Sequence, residues 1–109
     1  MERFEILMHF FSASEADFRI GKGHLALFSA LYIYWSRKGF PDPFRVYGYQ
    51  VMLMAKISAN STYNRLLNDL KDFGYLRYEA SYYKGKGSSI TFYNSQGFNG
   101  ETENTMNDP

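Results

Sequence analysis

The side chains with the clearest chemical potential lie in the segment 57–93, which combines a polar helix with a basic hairpin. Arg65 can bind guanine through two hydrogen bonds, and Asn64 or Asn68 can do the same with adenine. At the start of the same helix, hydroxyl side chains and free backbone N–H groups suit a phosphate. These residue types at helical spacing predict contact with DNA. The candidate DNA-binding residues on the helix are Asn60, Ser61, Thr62, Asn64, Arg65 and Asn68.

The tip of the predicted hairpin carries two lysines among glycines, Lys84 and Lys86. These lysines are candidate phosphate contacts, and Tyr82 or Tyr83 can lie along the sugar edge. Each feature also has a plainer explanation, because lysines and glycines are common in turns and a polar face opposite leucines is often only solvated. The succession of a polar helix and a basic hairpin favours the DNA-binding interpretation.

The charge of the chain is concentrated in its middle. The net charge is +1, but residues 1–20 carry −2, residues 97–109 carry −3 and residues 21–96 carry +6. A basic body between acidic ends favours an anionic partner. We expect this partner to be double-stranded DNA.

Hydrophobic periodicity and turn residues predict the elements that position these side chains. Gly39 and Gly74 each follow a predicted helix as its stop. The serines within 12–14 are expected to break the first helix, and the sequence Gly-Lys-Gly at 21–23 is expected to form a turn. The region 58–61 is expected to begin the polar helix with a hydroxyl cap. The predicted elements are helices at 4–11, 24–38, 49–56 and about 60–73, an extended segment at 44–46, and paired strands at 75–80 and 88–93.

This order predicts an α+β winged helix-turn-helix, with a three-helix core, a β-hairpin wing and an extra N-terminal helix. Residues 1–20 are the unit that contains this helix, a candidate dimerisation element because its stripe of Phe4, Leu7, Met8 and Phe11 is strongly apolar. Residues 21–94 form the winged helix domain. Residues 95–109 are polar and acidic, and are expected to be a disordered tail.

Other classes of protein are not favoured by this sequence. The chain lacks cysteine, and its two histidines, His9 and His24, have no metal-ligand spacing. The glycine patterns match neither nucleotide-binding loop, and Asp69 and Asp72 have no accompanying base or nucleophile. The apolar run 25–35 is too short to span a bilayer. We therefore expect a cytoplasmic protein that has no catalytic activity, no metal, no small-molecule cofactor and no membrane contact.

Three stretches resemble a known group of proteins: LALFSALYIYW, then GFPDPFRV, then LMAKISANSTYNRLLNDLKDFGYLRY running into a glycine-rich wing. Together they resemble the winged-helix domains at the N-termini of phage replisome organisers and bacterial primosomal proteins, and small transcriptional regulators of mobile elements. The resemblance covers residues 24–93. It implies DNA binding and frequent self-association, with the leading half of the recognition helix at 61–65 and the wing tip at 84–86.

The sequence thus predicts a non-catalytic DNA-binding protein, most simply a small transcriptional regulator that acts as a homodimer. The recognition helix, about 60–73, would lie in the major groove and the wing, 81–89, on the backbone. The alternative is a winged-helix module for protein–protein interaction, or an accessory protein of replication initiation.

Overall fold

A computed structural model describes residues 3–80 and 87–93 of the chain. These residues form four helices and three strands, and the strands join in one antiparallel sheet. The fold is therefore of the α+β class, as predicted. In chain order the elements are α1 (Phe4–Glu15), α2 (Lys22–Arg37), β1 (Phe44–Val46), α3 (Gly48–Ala55), α4 (Asn60–Asp72), β2 (Leu76–Glu79) and β3 (Ser88–Phe92).

The sheet has β3 at its centre, between β1 and β2. Ile90 of β3 stands opposite Phe44 on one side and opposite Tyr78 on the other. The hairpin pairing of β2 with β3 was predicted, whereas the pairing of β1 was not, because so short a segment does not identify its partner. A Cβ atom at Gly87 would collide with the carbonyl oxygen of Val46, so glycine is what permits this close approach of the two strands.

Aromatic rings join the N-terminal helix, α2 and the sheet in one core. Phe10 of α1 stacks on Phe28 of α2 with the ring centroids 3.8 Å apart. Phe92 of β3 lies 5.0 Å from Phe28 and 5.0 Å from Trp35. Large rings fill the interior efficiently in a chain of this size, where the surface is large relative to the volume.

The first helix is longer than predicted, because α1 continues through the serines at 12–14 and ends at Glu15. The Ser14 hydroxyl donates to the carbonyl oxygen of Phe11 at 2.8 Å, a bond that is compatible with a helix. The predicted break was therefore wrong.

Of the predicted apolar stripe of α1, Leu7 is half-buried against the core, but the other three residues are exposed. Ile6 and Phe10 are buried, whereas Phe4 is 58% exposed and Met8 is 54% exposed. Sequence periodicity could not separate the two sides, because α1 carries large apolar residues on both. The exposed side is defined here as the α1 stripe, Phe4, Met8 and Phe11.

The turn predicted at 21–23 was also wrong, because Lys22 and Gly23 already belong to α2. A Cβ atom at Gly23 would lie 3.0 Å from the side chain of Leu66, so the small residue lets α2 and α4 approach closely.

The two glycines predicted to end helices are confirmed, with φ of +86° at Gly39 and +89° at Gly74.

The loop between α1 and α2 is fastened to the start of the hairpin. Asp17 accepts two hydrogen bonds from the Arg19 side chain, both 2.8 Å long, and one from the Tyr75 hydroxyl. The Arg19 guanidinium lies 4.1 Å from the ring centroid of Phe73.

Across residues 3–80 and 87–93, no helix is long and apolar enough to cross a membrane.

Candidate nucleic-acid interface

Helix α4 has one buried face and one exposed face. Tyr63, Leu66, Leu67 and Leu70 are buried against α2 and the sheet, on the side opposite the predicted polar face. Burial raises the pKa of the Tyr63 hydroxyl to about 12. This apolar anchor holds the opposite face of α4 toward solvent.

The predicted DNA-binding residues of α4 differ in how accessible they are. Asn60, Ser61, Asn64 and Arg65 are exposed, while Thr62 and Asn68 are half-buried. The Asn68 amide donates to the backbone carbonyl oxygen of Asn64 at 2.8 Å, so its side chain lies along its own helix. Asn64 and Arg65 are therefore better presented to a base edge than Asn68.

The N-terminal end of α4 opens onto a groove of about 380 Å³. The residue that precedes the helix is Ala59, whose side chain makes no capping hydrogen bond, so the predicted hydroxyl cap was wrong. Thr62 lines the groove, and so do two lysines, Lys22 of α2 and Lys56 of the turn between α3 and α4. The first-turn N–H groups of α4 and these ammonium groups together form the part of this surface that best suits a phosphate.

Lys22 and Lys56 are not among the site residues predicted from the sequence. Lys56 occupies a left-handed conformation, with φ of +63°, directly after α3. Lys22 reaches the same groove because α2 packs on α4 at Gly23. Their proximity depends on how three helices cross, and spacing along the chain carries no such signal.

Carboxylates lie toward the other end of the exposed face. Asp69 Oδ2 lies 2.8 Å from His24 Nε2 and 3.6 Å from Arg65 Nη1. Asp72 lies 3.8 Å from the ammonium group of Lys71. The exposed face of α4 is therefore more favourable for an anion near its N-terminus, next to Lys22 and Lys56, than near its C-terminus.

The outer side of the sheet adds two exposed arginines, Arg45 and Arg77. Arg45 Nη1 donates to the carbonyl oxygen of Gly87 at 3.0 Å, and so fixes the point where the chain enters β3. The predicted wing contacts Lys84 and Lys86 lie outside the described residues. Their assignment stays a prediction from the sequence.

Within residues 3–80 and 87–93, no group of three histidine, cysteine or acidic side chains could hold a metal ion.

No protein-family model matches the chain, and no curated protein or solved structure shows significant similarity to it. Any functional conclusion therefore depends on the geometry of α4 and of the side chains around it.

Proposed function

We propose that this protein is a winged helix-turn-helix with one extra N-terminal helix. The element order from α2 to β3 supports this assignment, because a short strand lies between the first two helices of the core and a hairpin follows the third. The sheet order β1-β3-β2 supports it as well, since the strand between the helices closes onto the hairpin. In this assignment α3 and α4 are the helix-turn-helix, and β2 with β3 is the base of the wing.

The function that this geometry supports best is non-catalytic binding of double-stranded DNA, as a small transcriptional regulator. The observation that carries the proposal is the exposed polar face of α4, which adjoins Lys22 and Lys56 at its N-terminal end. The first half of α4 would enter the major groove, where Arg65 and Asn64 meet base edges.

The affinity for DNA must come mainly from residues outside α4, because that helix carries two basic and two acidic side chains. Lys22 and Lys56 would bind phosphates beside the helix, and Lys84 and Lys86 would bind phosphates from the wing. Asparagine, serine and arginine side chains would supply the sequence preference. This division agrees with the usual one, in which phosphate contacts orient the protein and base contacts specify the site.

A homodimer would complete the site, because two recognition helices read two half-sites and one small module offers limited specificity. The α1 stripe favours this assembly, since three large apolar side chains face solvent on one side of a helix. The helix-packing side of α1 is already used by Ile6 and Phe10, so the stripe is free to contact a second copy.

The test is the affinity for a mixed-sequence DNA duplex, measured by fluorescence anisotropy between about 50 and about 200 mM salt. We expect log K to fall linearly with log salt concentration. The double variants Lys22→Ala/Lys56→Ala and Lys84→Ala/Lys86→Ala should each reduce the magnitude of the slope by roughly 2, since each lost phosphate contact removes about 0.9.

Lys38→Ala is the matched control, because Lys38 lies over the Tyr34 ring at 5.2 Å, near the opposite end of α2 from Lys22. Its slope should remain that of the wild type. No binding of the wild-type protein to the duplex at the lowest salt concentration would refute the DNA-binding function.

A second candidate, a protein-interaction module, is favoured by a different observation. Leu53 and Tyr49 of α3 are 74% and 66% exposed, and such a pair of apolar side chains suits a protein partner. A protein complex held by apolar contacts would depend only weakly on salt, in contrast to DNA binding.

A further inference from the structure

Two side chains approach the same carboxylate oxygen on the exposed side of α4. His24 Nε2 lies 2.8 Å from Asp69 Oδ2, within hydrogen-bond range, whereas Arg65 Nη1 lies 3.6 Å from the same atom, which is beyond it. Asp69 is thus bound to a residue of α2 and only loosely paired with the arginine one turn away on its own helix.

The backbone of Gly21, the residue just before α2, determines which nitrogen of His24 donates to Asp69. The N–H group of Gly21 donates to His24 Nδ1 at 3.0 Å. Because a backbone N–H can only donate, Nδ1 must accept, and the proton of the neutral ring is therefore on Nε2. The ring is buried, next to Phe73 at 6.0 Å between centroids. His24 is thereby fixed as the donor to Asp69.

We propose that His24 is a positioning residue which holds Asp69 away from Arg65, and so keeps the Arg65 guanidinium available to DNA. This inference rests on the proposed function. Without the His24 donor, Asp69 would satisfy its oxygens with the nearest alternative cation, which is Arg65 at the i−4 position of the same helix. If the guanidinium were paired in that way, its N–H groups would already be bonded to Asp69 and its positive charge would be largely neutralised. It could then bind neither a base nor a phosphate well.

A purely structural role for His24 makes a different prediction. If the histidine only joins the start of α2 to α4, its substitution would lower stability and would change DNA affinity independently of Asp69 and Arg65. The positioning role requires instead that the effect of His24 disappear when either partner is removed. The two roles can therefore be separated by combining substitutions.

Two amides make a matched pair of variants at position 24. The oxygen of an asparagine comes close to the position of Nδ1 and can still accept from Gly21, but its side chain is too short to reach Asp69. The amide of a glutamine reaches the position of Nε2 and can still donate to Asp69. His24→Asn therefore removes the donor, and His24→Gln keeps it.

The experiment measures the affinity of each variant for the mixed-sequence duplex across the same salt range. On a mixed-sequence duplex Arg65 has no fixed guanine partner, so its guanidinium binds a phosphate there. We expect His24→Asn to weaken binding and to reduce the magnitude of the slope by about 0.9, the equivalent of that one contact, while His24→Gln stays near the wild type. Adding Asp69→Asn to His24→Asn should restore the slope. Adding Asp72→Asn, which removes an equal charge from the same face, should not restore it.

In an Arg65→Ala background, His24→Asn should cause no further loss of slope. Equal losses with and without Arg65, or a rescue by Asp72→Asn equal to that by Asp69→Asn, would overturn the positioning role. Thermal melts of each variant show whether it is folded. Asp69→Asn alone is a further control, because it leaves the Gly21 contact to His24 in place. It should bind at least as tightly as the wild type.

The free protein offers a readout that needs no DNA. In the NMR spectrum, the Arg65 Nε–H signal should shift and exchange more slowly with water in His24→Asn, because the guanidinium becomes paired with Asp69. An unchanged signal would overturn the inference even where DNA binding holds. If the signal changes but the wild-type protein does not bind the duplex, it is the proposed function that fails.

Discussion

The hydroxyl of Tyr75 donates a 2.6 Å hydrogen bond to Asp17, which lies 58 residues earlier in the chain. The same carboxylate binds Arg19, and the Arg19 guanidinium in turn packs on the ring of Phe73. The contact therefore joins the loop after α1 to the point where α4 ends and the hairpin begins. It holds the junction between the two parts of the proposed DNA-binding unit, α4 and the hairpin, against the loop after α1.

This contact gives stability a defined dependence on pH. The hydrogen bonds from Arg19 and then from Tyr75 hold the pKa of Asp17 well below its ordinary value of 3.8. Because the folded-state pKa is lowered, the contribution of the ionised carboxylate is complete above the ordinary value and is lost as the pH falls below it. Asp17→Asn should therefore be less stable than the wild type at neutral pH.

Urea denaturation of both proteins at neutral pH and at steps from about pH 4 to about pH 2 measures the difference in free energy of unfolding. That difference should shrink as the pH falls. Glu15→Gln, at an exposed carboxylate close by in the chain, should show no comparable loss at neutral pH. A difference for Asp17→Asn that stays constant with pH would contradict this account.

Phe10 should contribute strongly to the packing of the N-terminal helix on the core. Phe10 is buried and stacks on Phe28, so Phe10→Ala should lower the free energy of unfolding by about 3–5 kcal/mol. Phe4→Ala, on the exposed side of the same helix, should cost less than about 1 kcal/mol. Chemical denaturation checks both values, and equal costs for the two variants would contradict the placement of α1.

Self-association should depend on the α1 stripe. We expect light scattering to give the mass of two protomers for the wild type, and a mass close to one protomer when Phe4, Met8 and Phe11 are all replaced by serine. Removal of residues 1–20 is not a suitable test, because it would also remove Ile6 and Phe10 from the core. A triple variant that keeps the wild-type mass would assign the interface to another surface.

The elements with strong local signals could be predicted from the sequence. The leucine stripe of α4 and the glycine stops at Gly39 and Gly74 depend on short-range periodicity and backbone conformation, and the structure agrees with them. The packing side of α1 could not be predicted, because both of its sides are apolar. The tip of the hairpin and the acidic tail stay predictions, since they lie outside the described residues.

The candidate site could also be predicted only in part, because some of its residues come from elements other than α4. Residues that follow one helix face, such as Ser61, Asn64 and Arg65, can be placed together from spacing alone. Lys22, Lys56 and His24 approach α4 from other elements, and their roles depend on how the helices cross. His24 was predicted only as the first residue of the helix at 24–38, yet it also contacts Asp69 across the packed helices.

The most direct test of the central claim is an NMR titration of the isotope-labelled protein with a mixed-sequence duplex at low salt. We predict that the largest amide shift changes will lie at residues 56–65, at Lys22 and in the hairpin segment 81–89. The exposed residues of α3, Tyr49 and Leu53, should change little. Changes confined to α1 or to the exposed face of α3, or no changes at saturating duplex, would contradict DNA binding through α4.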